Sequence, residues 1–256
     1  MSGQISLRSF EEKYAKRVDT WVEKILCDKP ATFIAYILYT RIRVRLLPYY
    51  VTIVSFFLRI LSALFFLYGI WLQGTLSYFI SMIFDSTDGI LSRSYFGKDP
   101  ELRGTLDVMF DQIGLSLVIV ALGFRFYNTS CNILLLLLLF YAVLCFLYEF
   151  GAATRFRIFS KISLDPNLSI LNSTKIRPNA KHSKIAKYWI KLKDIAEKHG
   201  IFFHPTIVDS EFLLFVIAPI FKFPPVIVAT SLVFVAIGVI LGLSAAIWSI
   251  RNLKDS

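Results

Sequence analysis

Four aspartates define the chemistry open to this sequence. Asp85 and Asp88 have the i,i+3 spacing and Asp107 and Asp111 the i,i+4 spacing, so on helices each pair projects from one face. Both pairs lie in strongly apolar surroundings, where a carboxylate at a span centre costs roughly 2.5–3.5 kcal/mol on the insertion scale. Four carboxylates gathered at one place would also repel one another. Divalent cations answer both problems, and hard oxygen donors suit Mg²⁺, Mn²⁺ or Ca²⁺. Four such groups can bridge two ions, and a paired-ion site serves phosphoryl chemistry. Gly89, next to Asp88, leaves room for a ligand to approach the backbone, and Arg93 one turn later offers a forked cation to a phosphate. Any one of these aspartates could simply solvate a helix end. Their joint spacing beside Gly89 and Arg93 favours a site.

The elements that must position these groups are membrane helices by composition. The chain has 256 residues, 56% hydrophobic and only 18% charged, with mean hydropathy +0.62. Soluble domains run at roughly 45–50% apolar and about 25% charged. Disorder and a disulfide scaffold are excluded too, since Cys27, Cys131 and Cys145 form no framework. Six stretches read as spans: Tyr49–Leu72, Thr75–Ser92, Arg103–Phe126, Ser130–Phe150, Val208–Phe221 and Val226–Ile250. The expected fold class is therefore an all-α integral membrane protein with six transmembrane helices. An amphipathic surface helix precedes them, with Phe10, Tyr14, Val18, Trp21, Val22 and Ile25 at helical spacing and Ser9 with Glu12 as a capping box. Ala31–Thr40 is too short to span and reads as an interfacial helix.

Four segments follow from this reading: a cytoplasmic juxtamembrane segment over 1–48, spans one to four over 49–154, a basic cytoplasmic loop over 155–204, and spans five and six with a short tail over 205–256. The loop carries a second surface helix, with Ile185, Tyr188, Trp189, Leu192, Ile195 and Ala196 at helical spacing. Of the 28 Lys and Arg, 25 fall on one side of such a topology, which places both termini and the aspartates in the cytoplasm. The short loop at 93–103 returns span three beside span two, so the two aspartate pairs can converge.

The run Asp85-x-x-Asp88-Gly89-x-x-Ser92-Arg93, followed by Asp107-x-x-x-Asp111, resembles the signature of CDP-alcohol phosphotransferases. The usual form is D-x-x-D-G-x-x-A-R, then after a short spacer G-x-x-x-D-x-x-x-D. Pro48-Tyr-Tyr-Val-Thr52 is similar to the Pro-Asn-x-x-Thr entry into that family's first span. Ser92 stands where the family has Ala, Tyr49 where it has Asn, and Arg103 where it has Gly, with Gly104 displaced by one. The resemblance implies a membrane enzyme of phospholipid synthesis that moves a phosphoryl-alcohol group from a CDP-linked donor to an alcohol acceptor and releases CMP. It implies that Asp85, Asp88, Asp107 and Asp111 hold two divalent ions, Mg²⁺ or Mn²⁺, and that Asp111 is also the general base. Gly89, Ser92, Arg93 and Thr52 would line the CDP site, and a homodimer is a common state of the family.

Arg155 and Arg157 close span four near the site and read either as phosphate ligands or as positive-inside anchors. Glu149 is expected to pair with Arg155 or Arg59, since an intramembrane charge needs a partner. Asp209 and Glu211 open span five and suit its helix dipole. His182, His199 and His204 are scattered through polar sequence and read as surface residues. The lysines of 181–199 suit anionic lipid headgroups, and nothing points to nucleic acid. Two other functions stay open. Intramembrane carboxylates also mark ion or solute pathways, although the outer half of these spans has almost no polar residue. A catalytically dead family member would be consistent with Arg103.

Overall fold

The computed structural model describes residues 6–16, 18–42, 44–97, 100–164, 195–196, 198–202 and 204–254. Among them the architecture is all-helical, with one isolated parallel bridge between Asp19 and Ile201. The first helix, α1 (Leu7–Tyr14), is capped by Ser6, whose side chain accepts the Ser9 amide at 3.2 Å. The expected cap on Ser9 is thus one turn too late, and Glu12 pairs instead with Arg8 at 3.1 Å. Phe10 is buried against the rings of Tyr14, Tyr36 and Tyr39. One continuous surface helix over Phe10–Ile25 therefore does not form. The chain leaves the helix after Tyr14, and the backbone of Asp19 pairs with Gly200 and Phe202 at 3.0 Å each. It re-enters through a π-helical turn, Glu23–Cys27, into α2 (Asp28–Arg41).

The longer helices follow. α3 (Leu47–Leu67) starts with Pro48 in its first turn, where the missing amide costs nothing. α4 (Trp71–Phe96) stops at Gly97, whose φ of 75° suits glycine and whose amide bonds the Arg93 carbonyl at 3.0 Å. α5 (Glu101–Asn128) begins immediately after Pro100, so the turn between the aspartate pairs is shorter than the expected 93–103 loop. α6 (Asn132–Leu164) runs well past the expected span end at Phe150. The excursion over 155–204 consequently begins as helix, and Arg155 and Arg157 stand on α6. Most of the second surface helix, Ile185 through Leu192, lies outside the described residues. α7 is built from Ile207–Glu211, a π-helical stretch Phe212–Ile217 and Ala218–Ile220. α8 (Pro225–Lys254) closes the fold.

α3 packs chiefly on α4 and then on α5, α8 packs on α6, and α2 lies on α4. Small polar residues make the α3–α4 contact close. Ser62 Oγ donates to the Gly74 carbonyl at 2.8 Å and Ser55 Oγ to the Ser81 carbonyl at 3.0 Å. A large core includes Phe66, Tyr78, Val118, Leu122, Tyr141 and Phe215, and a smaller one sits under α1 around Phe10, Ala35, Leu47 and Leu91. Among the described residues α3 and α5 are long and apolar enough to cross a membrane. The 21 residues of α3 rise about 31 Å, against a hydrocarbon thickness of roughly 30 Å. Only 28% of the most apolar stretch of α5 is buried by the rest of the chain. Phe57, Leu64, Phe124, Leu136 and Phe146 are likewise exposed on the outer faces of α3, α5 and α6.

Candidate active site

The two aspartate pairs do meet. Asp85 and Asp88 lie on α4 and Asp107 and Asp111 on α5, two helices that both pack on α3. Asp85, Asp107 and Asp111 each offer one carboxylate oxygen within 4.8 Å of the others. Oδ1 of Asp85 is buried and has no hydrogen-bond donor among the described residues. Three hard oxygen donors at this separation, beside that orphaned oxygen, suit a divalent cation.

Asp88 turns another way. It is 1% exposed, accepts a hydrogen bond from the Thr52 hydroxyl of α3, and forms an ion pair with Arg103, Oδ1 lying 2.8 Å from Nη1. Arg103 is itself 3% exposed, and its Nη2 reaches Asp107 Oδ2 at 3.3 Å. A second arginine, Arg59 of α3, binds the other diagonal. Nη1 pairs closely with Asp111 Oδ1, and Nη2 lies 3.9 Å from Asp85 Oδ2. Each guanidinium therefore joins one carboxylate of α4 to one of α5. Gly114 makes room for the Arg59 stem, since a Cβ there would come within 2.8 Å of Arg59 Cδ.

The other expected site residues are distributed around this core. Gly89 is adjacent to Arg93, whose Nη1 would lie 3.4 Å from a Cβ at that position. Arg93 Nε donates to the Tyr14 carbonyl at 2.7 Å, which ties α1 to the site. Ser92 is fully buried. Thr52 touches Asp88 directly, so the upstream motif and the aspartates form one contact network. A Cβ at Gly104 would meet no described residue within 4 Å. The side chains of Arg155, Arg157 and Glu149 lie outside the described residues.

Several functional neighbours escaped the sequence reading. Arg59 pairs with Asp85 and Asp111, where Glu149 was the expected partner. Its signal was available: Thr52, Ser55, Arg59 and Ser62 recur at helical spacing as a buried polar stripe on apolar α3. A cavity beside Asp111 is lined by Glu23, Arg59, Asp85, Gln112 and Glu211. Glu211 accepts from the Tyr78 hydroxyl at 2.8 Å rather than merely complementing a helix dipole. Asp209 does serve its helix end. It accepts from the Thr206 amide and the Val22 amide at 2.8 Å each, clamping the N-terminal segment onto α7. Glu23, outside the candidate spans, is pushed up to about 9 by burial and then by the hydrogen bond it shares with Asp19, against the pull of Lys16.

No curated protein matches the chain. A family model described as CDP-alcohol phosphatidyltransferase matches residues 45–192, more than half of the chain, and the match contains α3, α4, α5 and all four aspartates. That family pairs a CDP-linked donor with an alcohol acceptor, depends on a divalent metal and is typically membrane-associated. By this match over more than half of its length, the chain belongs to the CDP-alcohol phosphatidyltransferase family.

Proposed function

We propose that this chain is a multi-pass membrane transferase of phospholipid synthesis. It moves a phosphoryl-alcohol group, in our reading phosphatidyl, from a CDP-linked donor to an alcohol acceptor and releases CMP. The observation that carries this reading is the convergence of Asp85, Asp107 and Asp111 from two helices inside the family-matched segment. A divalent cation, Mg²⁺ or Mn²⁺, bound on these three carboxylates would neutralise charge on the donor pyrophosphate. Asp111 takes the proton from the acceptor hydroxyl. The acceptor oxygen bonds to the phosphorus beside the alcohol moiety, and the bond from that phosphorus to the oxygen of CMP breaks. The cavity against Asp111 is the place from which a small acceptor reaches this base. Gly89, Ser92, Arg93 and Thr52 are assigned to the CDP moiety, and Arg155 and Arg157 on α6 to a phosphate of donor or acceptor.

The topology in this reading has six spans, α3 to α8, with 1–48 and 155–204 as the cytoplasmic segments. The one-sided distribution of Lys and Arg supports it, as does the exposed apolar surface of α3, α5 and α6. The basic segments contact anionic lipid headgroups, and the chain works as a homodimer. Asp111→Asn tests the base assignment. The variant should elute and melt like the unaltered chain yet lose CMP release by roughly 10²-fold or more. CMP release at the unaltered rate would remove Asp111 from this role.

A further inference from the structure

Four carboxylates can balance two divalent cations, but this site also contains two buried guanidiniums. Arg59 and Arg103 are 4% and 3% exposed, and each bridges one aspartate of α4 and one of α5. With both arginines charged, the cluster carries a formal −2, which one divalent ion neutralises. A second ion would leave the buried site positive, with guanidiniums in contact with its ligands. The geometry agrees with the charge. Asp85, Asp107 and Asp111 converge on one another, whereas Asp88 is held by Arg103 at 2.8 Å and by Thr52. Arg103 reaches this place because it stands one turn before Asp107 on the same face of α5. The glycine of the signature would leave that space empty.

We propose that the Arg103 guanidinium occupies the position of a second cation, so that this chain binds one divalent ion, on Asp85, Asp107 and Asp111, in place of two. Arg103 is then a positioning residue. It fixes Asp88 and one oxygen of Asp107, and it supplies fixed positive charge and N–H donors where an ion would supply exchangeable coordination sites. The inference rests on the cation-binding half of the proposed function and not on the transfer reaction itself.

The test is a count of bound Mn²⁺ on the full chain in detergent, stripped with chelator and titrated without nucleotide, with free Mn²⁺ read by electron paramagnetic resonance. One Mn²⁺ per chain and no spin-coupled pair spectrum is the expected result. Arg103→Gly should raise the count to two and produce the coupled spectrum, while Asp88→Asn should leave it at one. Two ions on the unaltered chain, or none, overturn the proposal, and so does an Arg103→Gly protein that folds and still binds one. Should Arg103→Gly fail to fold, the count on the unaltered chain decides alone. A chain that binds one Mn²⁺ but releases no CMP from any donor refutes the transferase reading and leaves this one standing.

Discussion

Replacing Arg59 by Met keeps the length of the stem that packs on Gly114 and removes the charge between Asp85 and Asp111. Breaking a buried ion pair by deleting one partner costs roughly 3–5 kcal/mol. Asp111 keeps 37% of its side chain accessible, and solvent there relieves part of the exposed charge, so the low end, about 3 kcal/mol, applies. At roughly 2–4 °C per kcal/mol for a chain of this size class, the metal-free variant should melt about 6–12 °C lower. Divalent ions should reverse much of this. The site becomes more negative by one charge, so Mn²⁺ binds more tightly, and ligand at a hundred times its Kd adds about 2.7 kcal/mol. Fluorescence melts on the four tryptophans, in chelator and in Mn²⁺, measure both arms. The variant should show the larger Mn²⁺-induced rise in Tm. An equal loss of Tm in both conditions would mean that Arg59 only fills space, and no loss in chelator would mean that the pairs contribute nothing.

Two further perturbations probe the same neighbourhood. Gly114→Ala places a Cβ 2.8 Å from Arg59 Cδ; overpacking of about 1–3 kcal/mol outweighs a helix gain of about 1 kcal/mol, and CMP release should fall as the guanidinium is displaced from Asp111. A double-mutant cycle with Arg59→Ala, which removes the clashing Cδ, should give a coupling of roughly 1 kcal/mol, and strict additivity would contradict the contact. Glu23 is held protonated in the folded state up to about pH 9. Folding therefore takes up a proton at neutral pH, and stability must fall as pH rises from the ordinary carboxyl range through 9. Glu23→Gln mimics the protonated form and should flatten the dependence of Tm on pH between 5 and 9, whereas a slope as steep as before would clear Glu23 of that role.

The aspartate pairs were legible because the information is local. Their i,i+3 and i,i+4 spacing fixes a face, and a short connection between two apolar stretches fixes their approach. What surrounds them was not local. Arg59 meets Asp111 across 52 positions, and Tyr78 meets Glu211 across 133, with nothing in sequence spacing to join them. Arg103 was visible as an arginine at a glycine position, but whether it pointed outward or between Asp88 and Asp107 depends on how α5 rotates against α4. Helix ends failed for a different reason. Hydropathy marks where the apolar environment stops, not where hydrogen bonding does, so α6 continues past Phe150 until shortly before Pro166. At the N-terminus two serines, Ser6 and Ser9, compete for one cap. The earlier one wins with Phe10 seated against Tyr36 and Tyr39, a tertiary contact that the capping pattern does not encode.

Transfer from a CDP-linked donor at the aspartate cluster has its readout in CMP. Purified chain with Mn²⁺, offered a panel of CDP-linked donors paired with alcohol acceptors, should release CMP in step with the transferred product for at least one pair. That release should stop in excess chelator and in Asp111→Asn. Folded protein that binds Mn²⁺ yet releases no CMP from any pair, or whose turnover survives the chelator, would contradict it.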